Sequence, residues 1–73
     1  MRFTVQLEVM AEGQWQPVVR YDTSHRFAHC DIYRPGGQAT KTDLKMTFEE
    51  ALTHALNDLR DNWELYRDRF FEG

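Results

Sequence analysis

Cysteine is nearly absent from this sequence: Cys30 stands alone among 73 residues. A single cysteine cannot form a disulfide within the chain, which excludes a disulfide-stapled secreted scaffold and favours a reducing compartment. It also excludes a zinc site built from several cysteines. A chain this short has a limited hydrophobic core, and small domains often gain stability from a partner. We therefore expect a single domain over residues 1–73.

Long hydrophobic runs are also missing. No stretch approaches the roughly 20 apolar residues that cross a bilayer. The opening MRFTVQLEVM alternates between apolar and polar residues instead of forming the apolar stretch of a signal peptide. We expect a soluble, cytoplasmic protein that does not enter a membrane.

The sequence lacks an excess of positive charge. Residues 1–42 contain five Lys or Arg against four Asp or Glu, whereas residues 43–73 contain four against eight, and the net charge is −3. General nucleic-acid binding usually needs a basic surface. RNA therefore remains a possible partner that the charge does not support.

Alternating residues predict a sheet in the first half of the chain. In FTVQLEV, Phe3, Val5 and Leu7 fall on one side and polar residues on the other, which is typical of a half-buried strand. Turn residues follow at AEG and RPGGQ. Further strands are predicted at WQPVVRYD and FAHCDIY, with a short fourth strand at ATKT.

A long amphipathic helix is predicted in the second half. Thr47 and Glu50 form a T-x-x-E capping box at its start. Apolar side chains then recur at steps of three and four, at Phe48, Leu52, Ala55, Leu56, Leu59, Trp63, Tyr66 and Phe70. Asp58 falls off this stripe and is expected in solvent. The fold class is therefore α+β: an antiparallel three- to four-stranded meander, β-β-β-(β)-α, over about residues 2–42, with a helix over about 47–71 packed on one face.

Strand parity predicts which residues share a face. A three-residue loop at residues 11–13 sets Val5 against Val19 and keeps apolar residues together. A four-residue loop at 23–26 then sets Asp22 against Phe27, and Cys30 turns towards the helix as a core residue. The opposite, exposed face of the sheet carries the cluster Arg20, Asp22, His29 and Asp31, which Phe27 and Tyr33 flank.

This cluster allows three interpretations. His29 next to an aspartate can act as a general acid or base, while Arg20 holds a phosphate or another oxyanion, as in a small ribonuclease. The simpler interpretation is a solvated salt-bridge ladder, which contributes little to stability. His25, His29 and Asp31 also form a loose H-x3-H-x-D pattern of metal-ligand types, although parity separates His25 from the others. We expect no metal and no cofactor.

The aromatic end of the helix is a candidate interface. About 23 helical residues span about 35 Å, whereas strands of about six residues span about 20 Å. The helix end is therefore expected to overhang the sheet, leaving aromatic side chains for a homodimer or another protein partner; these are Trp63, Tyr66, Phe70 and Phe71. The alternative is that strand 1 and the region of Trp15 cover them. Phe27 and Tyr33 on the sheet are further candidate binding residues, as a stacking platform for single-stranded RNA.

One segment resembles known sequences. Arg20-Tyr21-Asp22-x-x-His25, followed by His29-x-Asp31, resembles a pattern in short uncharacterised bacterial proteins and is loosely similar to the Tyr-Asp-x-x-His segment of TumE-type toxins of toxin–antitoxin operons. The resemblance implies an RNA-directed activity that uses Asp22, His25 and His29. Those toxins continue into an H-x-H segment, and here His29-x-Asp31 stands in its place.

Two functional hypotheses follow from these patterns. The preferred one is a small interaction module that dimerises or binds a protein partner, because no complete catalytic constellation can be read from the residues. The alternative is a small toxin-like ribonuclease or other hydrolase that uses the Arg20, Asp22, His29 and Asp31 cluster.

Overall fold

The fold is a four-stranded antiparallel sheet followed by one long helix, as the alternation and the helical periodicity predict. The computed structural model describes residues 1–72. The strands pair in chain order. Their bounds are Thr4–Ala11 for β1, Gln14–Asp22 for β2, His29–Tyr33 for β3 and Ala39–Asp43 for β4, and helix α1 runs over Phe48–Glu72. The predicted α+β class is confirmed.

The first hairpin turns in two residues instead of the expected three. Glu12 and Gly13 both have positive φ angles, of 53° and 78°, which is the pattern of a type I′ turn. Val5 consequently lies opposite Tyr21, and Leu7 lies opposite Val19. The predicted pairing of Val5 with Val19 is therefore wrong by two residues, although apolar residues still face each other.

A β-bulge makes this register possible. The pairing shifts between Leu7 and Glu8, so that Val18 is an extra residue in β2. Val18 and Val19 are both buried, with 1% and 0% exposure. Without the bulge, a two-residue turn would set Val5 against Arg20 and bring a charged residue onto the apolar face. The extra residue restores the parity that hydrophobic burial requires.

The second hairpin differs from its expected register in the same way. Asp22 pairs with His29, and Arg20 pairs with Asp31, so the predicted pairing of Asp22 with Phe27 is wrong. The connection spans residues 23–28 and is longer than the expected four residues. Residues of this connection contact Phe3 and Leu44, which lie outside the hairpin. The local sequence pattern does not predict such contacts.

Helix α1 begins with the predicted capping box. The Thr47 N–H donates to Glu50 Oε1 at 3.0 Å, and the Glu50 N–H donates to Thr47 Oγ1 at 3.1 Å. The helix packs on β1 and β2. Ala51 and Ala55 face the sheet with no exposed surface, since their small side chains allow close approach. Within residues 1–72 no helix combines the length and apolarity needed to cross a membrane.

The aromatic end of α1 is covered only in part. Phe70 is 5% exposed and joins the core with Val9 and Val18, so the expectation that it overhangs is wrong. The reason is strand length, because β2 has nine residues and spans about 30 Å. Trp63 and Phe71 remain 42% and 57% exposed.

Candidate functional site

The connection at residues 23–28 covers His29 on the sheet face that points away from the helix. The rings of His25 and Phe27 lie 5.5 and 5.4 Å from the His29 ring, measured between centroids. His29 is 1% exposed and Asp31 is 7% exposed. The prediction that the cluster lies on an open, exposed face is therefore wrong for His29 and Asp31. The polar connection folds back over the sheet, which strand parity alone could not indicate.

Two hydrogen bonds from backbone N–H groups hold this connection in place. Thr23, which is buried, accepts a hydrogen bond at Oγ1 from the Phe3 N–H at 3.1 Å. Asp22 Oδ1 accepts from the Ser24 N–H at 3.0 Å, as in an Asx turn. Arg26 adopts a left-handed conformation with φ of 68°. The connection is thereby tied to the start of β1 and to the end of β2.

His29 contacts acceptor atoms at both ring nitrogens. Nδ1 lies 3.3 Å from the Phe27 carbonyl oxygen, and Nε2 lies 3.7 Å from Asp31 Oδ2. A neutral imidazole can donate from only one nitrogen, whereas the imidazolium can donate from both. The other carboxylate oxygen, Asp31 Oδ1, is buried without a hydrogen-bond partner among the described residues. The pair links the connection to β3 and presents neither ring nitrogen to solvent.

Arg20 lies opposite Asp31 in the sheet, but its guanidinium contacts other groups. Arg20 Nε donates to Gln6 Oε1 at 2.6 Å. The guanidinium carbon lies 5.7 Å from the Tyr33 ring centroid, within the range of a cation–π contact. The structure thus places Arg20, Asp22, His29 and Asp31 on one face, with Arg20 held away from the His29–Asp31 pair.

The weak metal-ligand candidates do not form a ligand group. The rings of His25 and His29 lie against each other at an angle of 37°, and Asp31 approaches the Nε2 side of His29. Across residues 1–72 no group of three or more His, Cys, Asp or Glu side chains could hold a metal ion.

Asp58 forms a polar contact between helix and sheet that the sequence pattern did not predict. It accepts hydrogen bonds from the Tyr21 hydroxyl at 2.5 Å, the Tyr66 hydroxyl at 2.6 Å and the Asn62 amide at 2.8 Å. Burial alone would raise the pKa of Asp58, but these hydrogen bonds outweigh it and lower the pKa below its usual value. The expectation that Asp58 is solvated is wrong. Its position three residues after buried Ala55 was the available signal.

The two tyrosines that donate to Asp58, and the nearby Cys30, stay uncharged at neutral pH. Burial and the hydrogen bond to Asp58 raise the pKa of Tyr66 to about 12, and the same two causes raise the pKa of Tyr21. Burial raises the pKa of the Cys30 thiol to about 11. Cys30 is therefore a core residue as predicted, and its protonated thiol is a poor nucleophile.

A groove opens where the two outer turns of the sheet meet the end of α1. We call it the turn-end groove. It encloses about 680 Å³, and its lining includes Met10, Glu12, Gln14, Gly36 and Phe71. A smaller cavity of about 130 Å³, the arginine cavity, adjoins it and is lined by Val18, Ile32, Arg34 and Arg69 among others. The two share Pro35 and Phe70.

Phe70 and Phe71 are among the interface candidates of the sequence analysis, but the sequence pattern gave no indication that two arginines line a cavity beside them. Arg34 lies in the turn before β4 and Arg69 lies in the last turn of the helix. They are distant in the chain and line one cavity only because the meander and the helix end at the same side of the molecule.

One family model accounts for the whole sequence. The domain of unknown function DUF7718 matches residues 1–73. The chain belongs to this family. Comparison of this DUF7718 domain with curated proteins and with solved structures gives no match.

Proposed function

We propose that this DUF7718 domain is a protein-interaction module whose binding surface is the turn-end groove. The observation that carries the proposal is the exposure of large apolar side chains at the groove. Met10 is 51% exposed, Phe71 is 57% exposed, and Ile32 in the adjoining cavity is 43% exposed. Contiguous exposed apolar surface with a concave shape is typical of protein-binding sites.

The groove has a fixed floor, which supports binding without large rearrangement. Phe70 lines both the turn-end groove and the arginine cavity, and only 5% of its own surface is exposed because it belongs to the core. The neighbouring turn is closed by a hydrogen bond from the Arg34 N–H to the Gln38 carbonyl at 2.7 Å. A preorganised surface loses less conformational entropy on binding than a mobile one.

The contacts of His29 favour this function over hydrolysis. A general acid or base must reach the substrate with a ring nitrogen, whereas His29 is 1% exposed and both of its ring nitrogens face protein atoms. The toxin-like ribonuclease stays a prediction, and equal RNA degradation by the wild type and His29→Ala would contradict it.

The test of the interaction module compares two exposed apolar residues of α1. Phe71 lines the turn-end groove, while Leu65, 47% exposed, is absent from its lining. A library of random peptides is selected against the wild type, Phe71→Asp and Leu65→Asp. In parallel, sedimentation velocity over a wide concentration range measures self-association of the same three proteins, because a second copy of the chain is the simplest partner.

We expect peptide binding or dimer formation that Phe71→Asp abolishes and Leu65→Asp preserves. A wild type that stays monomeric and enriches no peptide that depends on Phe71 would refute the interaction module. Circular dichroism of both variants shows that they remain folded, which is expected since each substitution is made at an exposed position.

A further inference from the structure

Two arginines in the arginine cavity have no carboxylate partner among residues 1–72. Arg34 and Arg69 both line it. Within residues 1–72 neither forms an ion pair, although Arg34 donates to the Thr40 hydroxyl at 3.3 Å. Elsewhere on α1, Arg60 pairs with Asp61 at 2.9 Å and Arg67 pairs with Asp68 at 3.0 Å. Arg34 and Arg69 thus line one cavity without an ion pair among the described residues, which leaves their positive charge available to an external anion.

The rest of the cavity lining is uncharged. It consists of apolar and aromatic side chains, with no acidic residue: Val18, Ile32, Tyr33, Pro35, Tyr66 and Phe70. Such a lining suits an apolar group, and the two arginines add a preference for negative charge beside it. A guanidinium matches a carboxylate especially well, because its parallel N–H groups can donate to both oxygens.

We propose that the segment bound in the turn-end groove carries a carboxylate next to an apolar side chain, with Arg34 and Arg69 holding the carboxylate. This inference rests on the proposed interaction function and names the chemistry of the partner. The apolar side chain occupies the cavity beside Ile32 and Phe70, and the rest of the segment continues along the groove.

Charge within the groove also sets the orientation of the bound segment. Glu12, in the first hairpin turn, lines the turn-end groove but not the arginine cavity. It repels a carboxylate at its own end, while the arginines attract one at the other end. A partner segment is therefore acidic only where it meets Arg34 and Arg69.

Phosphate groups of RNA are the competing anions for two arginines. The net charge of −3 and the acidic second half of the chain oppose a polyanion, and Glu12 lies along the same groove. These charges favour a short acidic peptide over a nucleic acid.

The experiment uses the peptides enriched by the wild type in the library selection. Each is synthesised with its acidic residue, and again with Glu→Gln or Asp→Asn at that position. Binding of both forms is measured by fluorescence anisotropy against the wild type, the double variant Arg34→Gln/Arg69→Gln, and the control Arg60→Gln, which alters an exposed arginine outside the cavity. A labelled oligouridine is measured against the same proteins.

We expect the enriched peptides to contain an acidic and an apolar residue. Neutralising the acid should weaken binding to the wild type and to Arg60→Gln by about tenfold, and should change binding to the double variant little. Enriched peptides that depend on Phe71 but lose nothing on neutralisation would overturn this inference and leave the interaction module standing. Oligouridine binding that the double variant abolishes would overturn it in favour of a nucleic acid. If no peptide depends on Phe71, this inference fails; the interaction module fails with it only if the wild type also stays monomeric in sedimentation velocity.

Discussion

Among single residues, Asp58 shows most directly how chemistry and position combine. On a helix wheel it lies beside Ala51 and Ala55, at the edge of the buried face. An aspartate there would be unfavourable without partners. Tyr21 of β2 and Tyr66 of α1 each donate a hydrogen bond from the hydroxyl group to Asp58 Oδ2. The carboxylate thereby fixes the helix against the sheet through hydrogen bonds that depend on its charge.

The stability of the protein should consequently depend on the ionisation of Asp58. The folded-state pKa lies below the usual value, so this contribution is present above the unfolded-state pKa of about 3.9 and is lost as the pH falls through the folded-state pKa. At neutral pH, Asp58→Asn should lower the free energy of unfolding by about 1–3 kcal/mol, since hydrogen bonds to a charged acceptor are lost.

Urea denaturation at a series of pH values measures this effect. The difference between the wild type and Asp58→Asn should shrink as the pH falls below about 4. Glu64→Gln is the matched control, because Glu64 is an exposed acid on the same helix. A difference that stays constant from neutral to acidic pH would show that the charge of Asp58 does not contribute.

Among the elements, the helix and the first hairpin follow local rules to different degrees. The capping box of α1 forms with both of its reciprocal hydrogen bonds, because all of its atoms lie within four consecutive residues. The hairpin register depends on a turn and a bulge together. Burial of apolar side chains fixes the parity of that register, whereas the turn length and the bulge fix its exact pairs.

Removal of the cap should destabilise the helix measurably. Thr47→Ala eliminates the hydroxyl that accepts the Glu50 N–H, and a lost N-cap costs about 1 kcal/mol. Thr53→Ala is the control, because Thr53 is exposed within the helix and alanine there is the better helix former. Urea unfolding followed by circular dichroism compares the two. Equal midpoints for both variants would argue against a contribution from the cap.

For the whole molecule, the placement of the helix decides which surface is left for binding. α1 packs on β1 and β2, so that Ile32, on the same face of β3, keeps 43% of its surface exposed. Phe70 closes the core at the far end of the sheet while Phe71 points into the turn-end groove. Two adjacent phenylalanines therefore have different roles, one in stability and one in the proposed binding.

The different roles of Phe70 and Phe71 predict that substitution by alanine lowers the free energy of unfolding by different amounts at the two positions. Phe70→Ala should lower the free energy of unfolding by about 3–5 kcal/mol, because it leaves a cavity in the core. Phe71→Ala should change it by about 0.5 kcal/mol or less, since the side chain is 57% exposed. Thermal unfolding measures both, and Phe70→Leu, which keeps most of the buried volume, should recover part of the loss. Equal losses at the two positions would contradict this division.

The sequence by itself determined the strands, the helix with its cap, and the α+β order of these elements. These follow from alternation, helical periodicity and capping, all of which act between residues close in the chain. It also placed Arg20, Asp22, His29 and Asp31 on one face. Side chains of a strand alternate between faces, so a register shift of two residues leaves each side chain on the same face.

Only the tertiary structure decided which of those residues are exposed and where a groove forms. His29 is covered because the connection at residues 23–28 folds back on the sheet, and Asp58 is engaged because two tyrosines reach it from different elements. Arg34 and Arg69 share a cavity because the last turn of the sheet and the last turn of the helix end on the same side. Each of these depends on contacts between residues distant in the chain, whose geometry local patterns do not encode.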